Sequence, residues 1–343
     1  MRLLIITQKI DLNDDILGFF HKWVEKLAEK SEKVYVITSY LGEYNLPKNA
    51  EIFSLGKEKG LGKMRRYFLF YKFFLSNIKN SDGVFFHMCP EYVLAAGLAA
   101  KILGKKTLLW YAHKSINWRL RLAEKIVDKI FTASKESFRL KSQKVEITGH
   151  GIDIEKFPIY NFQFPNKLQN NKYKIITAGR IAKVKNLDLL IEVAEILKSK
   201  NFNFFVKIAG TAILDKDKDY LENLKQNIFE KKMESYIDFC GKIPYKEIEK
   251  FYQEANLFVN FSGTGSLDKA ILEAMACGLN ILTLNEAFKD ILPEENLSSE
   301  KPQEIAKKII FLSNKEVDSS LREYVFKNHD LNNLTSKIIK FYG

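Results

Sequence analysis

A glycine turn flanked by two cationic side chains is the strongest signal for phosphate chemistry in this sequence. An apolar, strand-like run ends at Ala178, Gly179 opens the turn, and Arg180 and Lys185 flank the loop that follows. A helix is predicted to begin near Asn186, and two cations beside a helix N-terminus suit a diphosphate. A solvated basic loop is the alternative, and the spacing alone does not separate the two interpretations.

A second candidate anion site lies in the segment 260–278. A strand-like run passes into a loop of small residues, and a helix follows with Gly278 just past its end. Backbone N–H groups at that helix start offer another position for an anion. Asp268 also complements the helix dipole there. Glu273 lies mid-helix in an apolar setting, where a carboxylate needs either a structural cation or a ligand hydroxyl as a partner.

The elements that must position these loops alternate between strand-like and helical patterns, which predicts parallel sheets covered on both faces. In the first half the strand-like runs are 3–7, 34–38, 83–86, 107–111, 130–132 and 145–148, and the helical segments are near 18–30, 62–80, 91–103 and 116–127. In the second half the runs are 173–178, 203–209, 236–239, 257–261 and 280–284, with helices near 186–199, 217–231, 245–254, 268–277 and from 301 onward.

A break in this alternation at residues 158–172 predicts a linker, because the stretch holds two prolines and several asparagines without helical periodicity. The expected organisation is α/β, with a doubly wound domain over 1–160 and a second over 161–330. Two such domains would face each other across a cleft, with ligands at the carboxyl ends of the strands.

Composition and charge narrow the class of protein. Of the 343 residues, 46% are hydrophobic and 28% charged, which excludes wholesale disorder. The sequence has no apolar run near the ~18 residues of a membrane-spanning helix and no signal-peptide pattern, so a cytoplasmic protein is expected. Its three cysteines are far apart, which argues against a disulfide framework and a zinc site. Residues 1–165 carry 27 Lys and Arg against 17 Asp and Glu, so most of the net charge of +12 lies in the first half.

Taken together, the motifs resemble retaining nucleotide-sugar glycosyltransferases of family 4, or group 1 glycosyltransferases, which have the GT-B fold. Gly179, Arg180 and Lys185 match the G-R-x4-K element, and the segment 272–278 (LEAMACG) matches the L-E-A-M-A-x-G helix. The segment 241–244 (GKIP) also fits. The resemblance covers residues 172–285 well and the first half more weakly. It further implies that a C-terminal helix, 331–343, returns to the first domain.

The resemblance implies a role for each matched residue. Arg180 and Lys185 would bind the donor diphosphate and stabilise it as it leaves, because charge builds there as the glycosidic bond breaks. Glu273 would hold the ribose hydroxyls, and the nucleotide base would lie near Lys242 and Ile243. The other donor-binding positions implied are Gly18, Gly179, Gly265, Ser266, Asp268, Lys269 and Ala270.

One departure from the family concerns the sugar. The pattern is E-x7-E, and eight residues before Glu273 the sequence has Gly265 instead of glutamate. Asp268 is interpreted as taking over the contacts to sugar hydroxyls, with a helix-start charge as the alternative. A loss of activity is a further reading, which the retention of Arg180, Lys185 and Glu273 disfavours.

The first half contributes a glycine and a histidine by resemblance. Gly18 matches a loop whose backbone approaches the donor, where the absence of a side chain allows a close approach. His113 matches a histidine that contacts the sugar or helps activate the acceptor. His87 competes for that role, and His21 is placed near the same site. His150 lies in a G-x-G-x-D loop (149–153) that in relatives faces the nucleotide or the linker. An isolated histidine is also commonly a core residue.

A basic and aromatic stretch, 63–75, has two interpretations. It could be an interfacial membrane helix, or a helix whose aromatic face covers the first sheet, which the α/β alternation favours. The excess of positive charge over 51–165 keeps contact with an anionic membrane, at its inner face, under consideration.

The sequence therefore predicts a nucleotide-sugar-dependent, retaining glycosyltransferase of hexosyltransferase type with a glycan or lipid-linked acceptor. A catalytically weak GT-B protein that binds a nucleotide sugar or partners an active transferase is the main alternative. A sugar-nucleotide epimerase is a minor one, and no nucleic-acid-binding module is recognised. No cofactor or metal is expected, because the D-x-D pattern at 215–219 is interpreted as a solvated helix start.

Overall fold

The computed structural model describes residues 1–158, 172–263 and 265–343. They form two compact units. Unit 1 comprises Met1–Asp153 and Asn328–Gly343, and unit 2 comprises Ile154–Lys327. All but the first and last residues of the predicted linker, 158–172, lie outside the described ranges.

Unit 1 is built from alternating strands and helices. Its elements are β1 (Arg2–Ile10), α1 (Phe19–Glu29), β2 (Lys33–Leu41), β3 (Ala50–Ser54), α2 (Lys63–Ile78), β4 (Gly83–His87), α3 (Pro90–Ile102), β5 (Lys106–Trp110), α4 (Trp118–Ile126), β6 (Lys129–Thr132) and β7 (Val145–Ile147). Within its described residues they form one parallel sheet in the order β3-β2-β1-β4-β5-β6-β7. The strand order reverses between β1 and β4, which is where ligands bind in doubly wound sheets.

Helices cover both faces of this sheet because each presents an apolar stripe. In α1, Phe20, Trp23, Val24 and Leu27 recur at helical spacing and are fully buried. On the other face, α2, α3 and α4 share one core with the sheet. Phe70 of α2 stacks on a tyrosine of α3 with ring centroids 4.9 Å apart.

Unit 2 repeats the alternation. Its helices and strands are β8 (Tyr173–Ala178), α5 (Leu187–Ser199), β9 (Phe204–Ala209), α6 (Asp215–Glu230), β10 (Ile237–Gly241), α7 (Ile248–Gln253), β11 (Leu257–Asn260), α8 (Lys269–Ala276), β12 (Asn280–Thr283), α9 (Pro302–Ser313) and α10 (Ser319–His329), whose last two residues belong to unit 1. Among the described residues the parallel sheet has the order β10-β9-β8-β11-β12, so the order reverses between β8 and β11. The predicted doubly wound α/β organisation is confirmed in both units.

The last helix, α11 (Leu331–Tyr342), belongs to unit 1. Its buried stripe includes Leu334 and Ile338, and the Tyr342 hydroxyl donates a hydrogen bond to the Val84 carbonyl at 2.7 Å. A side chain at Gly83 would collide with the Tyr342 ring, since an added Cβ would lie 2.3 Å from it. The helix is therefore anchored on the central strands.

Candidate functional site

The carboxyl end of β8 forms one side of the site in unit 2. β8 ends at Ala178, and Gly179 turns the chain with a φ of 138°, a conformation that favours glycine. A Cβ at Gly179 would lie 3.5 Å from Cε of Lys185, and one at Gly210 would lie 1.8 Å from the Gly179 carbonyl oxygen. The glycine pair thus lets two strand ends approach closely, while Arg180 stands exposed at the start of the loop.

An ion pair joins the two sides of the strand-order reversal. The Lys185 ammonium lies 2.7 Å from Oδ2 of Asp268, and Nδ2 of Asn260, at the end of β11, donates to the same oxygen at 3.0 Å. The structure therefore brings together the two loops that the sequence singled out, at the carboxyl ends of β8 and β11. Asn260 was not predicted, because its role depends on a neighbour eight residues along the chain.

Asp268 is fully engaged within the protein. Its Oδ1 accepts from the Ala270 amide at 3.2 Å and so caps α8. Burial raises the pKa of the Asp268 carboxyl, but the charge and hydrogen bond of Lys185, with the bond from Asn260, outweigh burial, and the pKa lies below its usual range. The carboxylate is ionised at neutral pH. The Ala270 amide that was expected to cradle a phosphate is already occupied.

Glu273 has the partner that its apolar position demands. It is buried in α8, forms an ion pair with Lys269 one turn earlier, and accepts a hydrogen bond from the Tyr252 hydroxyl at 3.0 Å. Burial and this carboxylate raise the pKa of Tyr252 well above its usual range, so the phenol stays protonated. Lys269 was implied by the resemblance as a donor-binding residue. The structure pairs it with Glu273 and places its ammonium 4.4 Å from the centre of the Tyr245 ring.

The remaining predicted donor-site residues follow nearby strands. Gly265 is buried with a φ of 58°, and the Ser266 carbonyl accepts from Nδ2 of Asn285 at 2.8 Å. Lys242 is exposed and Ile243 half-buried, directly after the edge strand β10. They lie at the same edge of the sheet as Lys185, three strands away from β11.

In unit 1, Gly18 and His113 occupy different kinds of position. Gly18 is buried at the start of α1 with φ −57° and ψ −28°, so its backbone dihedrals do not require glycine. His113 is exposed in the loop after β5, and its Nδ1 accepts from the Ser115 amide at 3.1 Å. Burial, followed by the neighbouring Lys114 charge, lowers the pKa of His113 below its usual value. The ring is neutral at pH 7.

The competing histidine, His87, lies in the core. Its ring stacks on Phe20 with centroids 3.7 Å apart, and its Nδ1 lies 3.2 Å from the Thr7 hydroxyl. Burial lowers the pKa of His87 to about 3, helped by the charge of His150. His21 is also buried and accepts from the Asn45 amide at 3.1 Å. Both are accounted for by packing.

The loop 149–153 (GHGID) holds the C-terminal segment of unit 1. A Cβ at Gly149 would lie 2.0 Å from the Asn328 carbonyl oxygen, and the Trp23 indole donates to the Gly151 carbonyl at 3.0 Å. The His150 amide donates to Nδ1 of His329 at 3.1 Å. These contacts give the loop a packing role within unit 1, and its position toward the nucleotide or the linker stays a prediction.

The acidic start of α6 is only partly solvated. Asp215 is exposed and pairs with Lys218 at 2.8 Å, as expected of a solvated stretch. Asp217, by contrast, is 3% exposed, and its Oδ2 has no hydrogen-bond partner among the described residues. The solvated interpretation was wrong for Asp217. Across the described ranges, no helix is both long and apolar enough to cross a membrane.

Comparisons with known proteins agree with this architecture. Residues 159–329 match the family model of the glycosyl transferases group 1. The amylovoran biosynthesis glycosyltransferase AmsK of Erwinia amylovora is 28% identical over 46% of this chain and 38% of its own length. The alpha-monoglucosyldiacylglycerol synthase of Acholeplasma laidlawii is 27% identical over 62% of this chain and 53% of its own. The chain thus spans about half or less of the length of these curated relatives.

Among solved structures, HepE of Anabaena, crystallised in complex with UDP and glucose, superposes with a TM-score of 0.76. The alignment covers 99% of this chain and 98% of HepE at 15% identity. The fold is GT-B, with two parallel-sheet α/β domains. The sequence match thus relates residues 159–329 to the group 1 glycosyl transferases, and the likeness to HepE shows the fold.

Proposed function

We propose that the protein is a retaining glycosyltransferase that moves a hexose from a nucleotide sugar to a glycan or lipid-linked acceptor. The observation that carries this proposal is the ion-paired Lys185 at the strand-order reversal of unit 2, bridged to β11 through Asp268 and Asn260. A cation held where doubly wound sheets bind ligands suits a diphosphate. The family match and the complex of HepE with UDP and glucose support the same donor class.

In the proposed reaction the bond between the anomeric carbon and the β-phosphate oxygen breaks. A bond to the acceptor oxygen forms on the same face of the sugar, and the acceptor proton leaves with the nucleoside diphosphate. Arg180 and Lys185 stabilise the charge that develops on the diphosphate. Because Lys185 is paired with Asp268 beforehand, the diphosphate must exchange with or share that carboxylate.

The other roles follow the resemblance. Glu273 holds the ribose hydroxyls, which requires it to loosen from Lys269 or Tyr252. Asp268 contacts the sugar in place of the glutamate that Gly265 replaces. His113 contacts the sugar or the acceptor, and no metal takes part in the reaction. These roles are proposals for this chain.

The first test is a thermal-shift screen of nucleotide sugars, followed by transfer assays. A donor present at 100 times its dissociation constant should stabilise the protein by ~2.7 kcal/mol. NMR of the product should show the donor's anomeric configuration, and activity should persist with a chelator. Inversion at the anomeric carbon would contradict the proposed mechanism, as would activity that returns only with added magnesium or manganese.

A surface of unit 1 supports contact of the protein with an anionic membrane. Phe70 and Phe74 of α2 cover the sheet, but Met64 and Phe68 on its other side are 83% and 72% exposed. The covering role thus explains only part of the aromatic stretch. Residues 63–125 carry 12 Lys and Arg against 3 Asp and Glu. Exposed aromatic and basic side chains together are typical of helices that lie in a membrane interface.

This surface can be tested by co-sedimentation with phosphatidylglycerol and phosphatidylcholine vesicles. Binding should need the anionic lipid, and Arg65→Glu should weaken it by ~1 kcal/mol or more. Phe68→Ser should also weaken it. Phe229→Ser is the matched control, because Phe229 is 66% exposed on α6 of unit 2. Equal effects of the two phenylalanine variants would contradict a role for α2.

A second candidate function is binding of a nucleotide sugar without transfer. The observation that favours it is Gly265, which leaves the first position of the E-x7-E pattern without a carboxylate. Hydrolysis and transfer assays with and without acceptors separate the two functions. Stable donor binding with no turnover under any acceptor would favour the non-catalytic protein.

A further inference from the structure

We propose that a cavity in unit 1 binds a phosphate or carboxylate group of a hydroxylated acceptor. This inference rests on the proposed transferase function, and it adds the chemical class of the acceptor. The cavity has a volume of about 420 Å³. Small-molecule sites typically enclose about 300–1,000 Å³.

The cavity lies at the carboxyl edge of the sheet, where the topology of unit 1 predicts a ligand. β2 contributes Ser39, and the first turns of α2 and α3 contribute Arg66 and Tyr92. Lys57 follows β3, and Lys63 begins α2. Residues at or next to four different elements therefore converge on one space.

The lining of the cavity carries more positive than negative charge. Lys57, Lys63 and Arg66 line the cavity, and Glu91 is its one acidic lining residue. Within the described ranges none of these three cations has a carboxylate within 4 Å, although Lys9 and Lys33 on strands of the same sheet are ion-paired. The cavity thus holds an excess of positive charge that an anion would balance.

Arg66 is the residue best placed to recognise the anion. Its Nη1 donates to the Ser39 hydroxyl at 3.4 Å, whereas its Nε is buried without an acceptor among the described residues. A buried donor without a partner is costly, and an oxyanion would satisfy it. A guanidinium also offers paired donors that match a phosphate or carboxylate.

Tyr92 and Ser39 complete the polar wall. Their hydroxyls are hydrogen-bonded, and burial together with the nearby Cys89 raises the pKa of Tyr92 to about 12, so the phenol stays protonated at pH 7. One of the two hydroxyl protons is used in the hydrogen bond between these side chains, and the other can be donated to an oxyanion. Glu91 offers an acceptor for sugar or glycerol hydroxyls. The combination fits an anion that also carries hydroxyl groups.

The test is calorimetric titration of the full chain with glycerol 1-phosphate, glucuronate and glycerol. The two anions should bind and glycerol should not. Arg66→Gln should weaken anion binding about tenfold or more. Arg65→Gln is the matched control, because Arg65 is exposed on the same turn and does not line the cavity; it should change binding less than twofold.

The titration is repeated with Lys185→Ala to test whether the anion binds at the donor site instead of in the cavity. Retained anion binding there supports the cavity, and its loss would overturn the proposal. Equal losses in Arg65→Gln and Arg66→Gln would also overturn it.

The variant Arg66→Lys, measured together with its thermal unfolding, controls for folding: a folded variant with intermediate affinity supports the site. Competition by phosphatidylglycerol vesicles against glycerol 1-phosphate would identify a lipid headgroup, and its absence a free anion; in both cases the anionic class stands. Because binding is measured without a nucleotide sugar, the result is independent of whether transfer occurs.

Discussion

Two candidate ligand-binding lysines of unit 2 differ from the cations of the unit 1 cavity in having carboxylate partners. In unit 2, Lys185 and Lys269 are each paired with a carboxylate, Asp268 and Glu273. In unit 1, the three cations that line the cavity have no such partner within the described residues. Paired cations keep a fixed geometry before a ligand arrives, but the ligand must displace a partner. Unpaired cations bind an anion without that exchange and depend more strongly on ionic strength.

This difference suggests that the paired and the unpaired cations have different functions. The leaving group of a glycosyl transfer needs a cation whose position is fixed in advance, since stabilisation of developing charge requires little reorganisation. An acceptor site needs only to bind and orient its ligand. The paired arrangement therefore suits the reacting end of the donor, and the unpaired arrangement suits recognition.

The largest effect is expected from removing Lys185, an ion-paired lysine of unit 2. Lys185→Ala should lower kcat by about 100-fold or more, because loss of one preorganised group at developing charge costs about 2.7–4 kcal/mol. Lys183→Ala is the matched control. Lys183 lies in the same short turn but pairs with Asp188 at 2.9 Å. Steady-state kinetics with a nucleotide sugar measure both variants, and similar rates for the two would remove Lys185 from the proposed mechanism.

The two units should also differ in their stability at acidic pH. All five histidines of the chain lie in unit 1. Burial lowers the pKa of His329 to about 4 and, with the charge of His150, that of His87 to about 3. Between these values and about 6.5 the unfolded state binds protons that the folded state does not, so stability falls as the pH falls through this range.

At pH 5 each of these histidines should cost unit 1 ~2 kcal/mol relative to neutral pH. Hydrogen exchange followed by mass spectrometry at pH 7 and pH 5, corrected for intrinsic rates, should show deprotection of β1 and β4 before β8 and β11. His87→Phe, which keeps an aromatic ring against Phe20, should reduce the difference. Simultaneous loss of protection in both units would contradict the histidine explanation.

The sequence predicted the elements that have long apolar runs and missed a short one. β3 (Ala50–Ser54) was not predicted, because none of its residues is fully buried and its register is set by pairing with β2. β1 and β2 extend beyond the predicted runs into polar residues. Their carboxyl ends carry Gln8 and Ser39, which line the cavity. The periodicity of the sequence alone therefore could not predict the unit 1 cavity.

The candidate donor site was predicted by residue type but not by partner. Arg180, Lys185, Asp268 and Glu273 were all identified from their motifs. The pairing of Lys185 with Asp268 joins positions 83 residues apart, and no local pattern encodes it. The sequence likewise does not show which glycines the fold requires. Gly149 is required by an approach of the distant residue Asn328, whereas Gly18 has dihedrals that any residue adopts.

The smallest effect is expected when the carboxylate partner of Lys185 is removed, which converts a paired cation into an unpaired one. Asp268→Asn removes the charge beside Lys185 and keeps an oxygen that can cap α8, but its amide nitrogen no longer accepts the bonds from Lys185 and Asn260. Freed from competition, Lys185 should bind a bare nucleoside diphosphate a few-fold more tightly, on the order of 1 kcal/mol. If Asp268 also contacts the sugar, kcat/KM for the whole nucleotide sugar should fall in the same variant. Calorimetry with the diphosphate and kinetics with the nucleotide sugar measure the two effects separately. Glu273→Gln is the control, since loss of the ribose contact should weaken both ligands together. Weaker binding of the bare diphosphate by Asp268→Asn would mean that the ion pair positions Lys185 for the phosphate rather than competing with it.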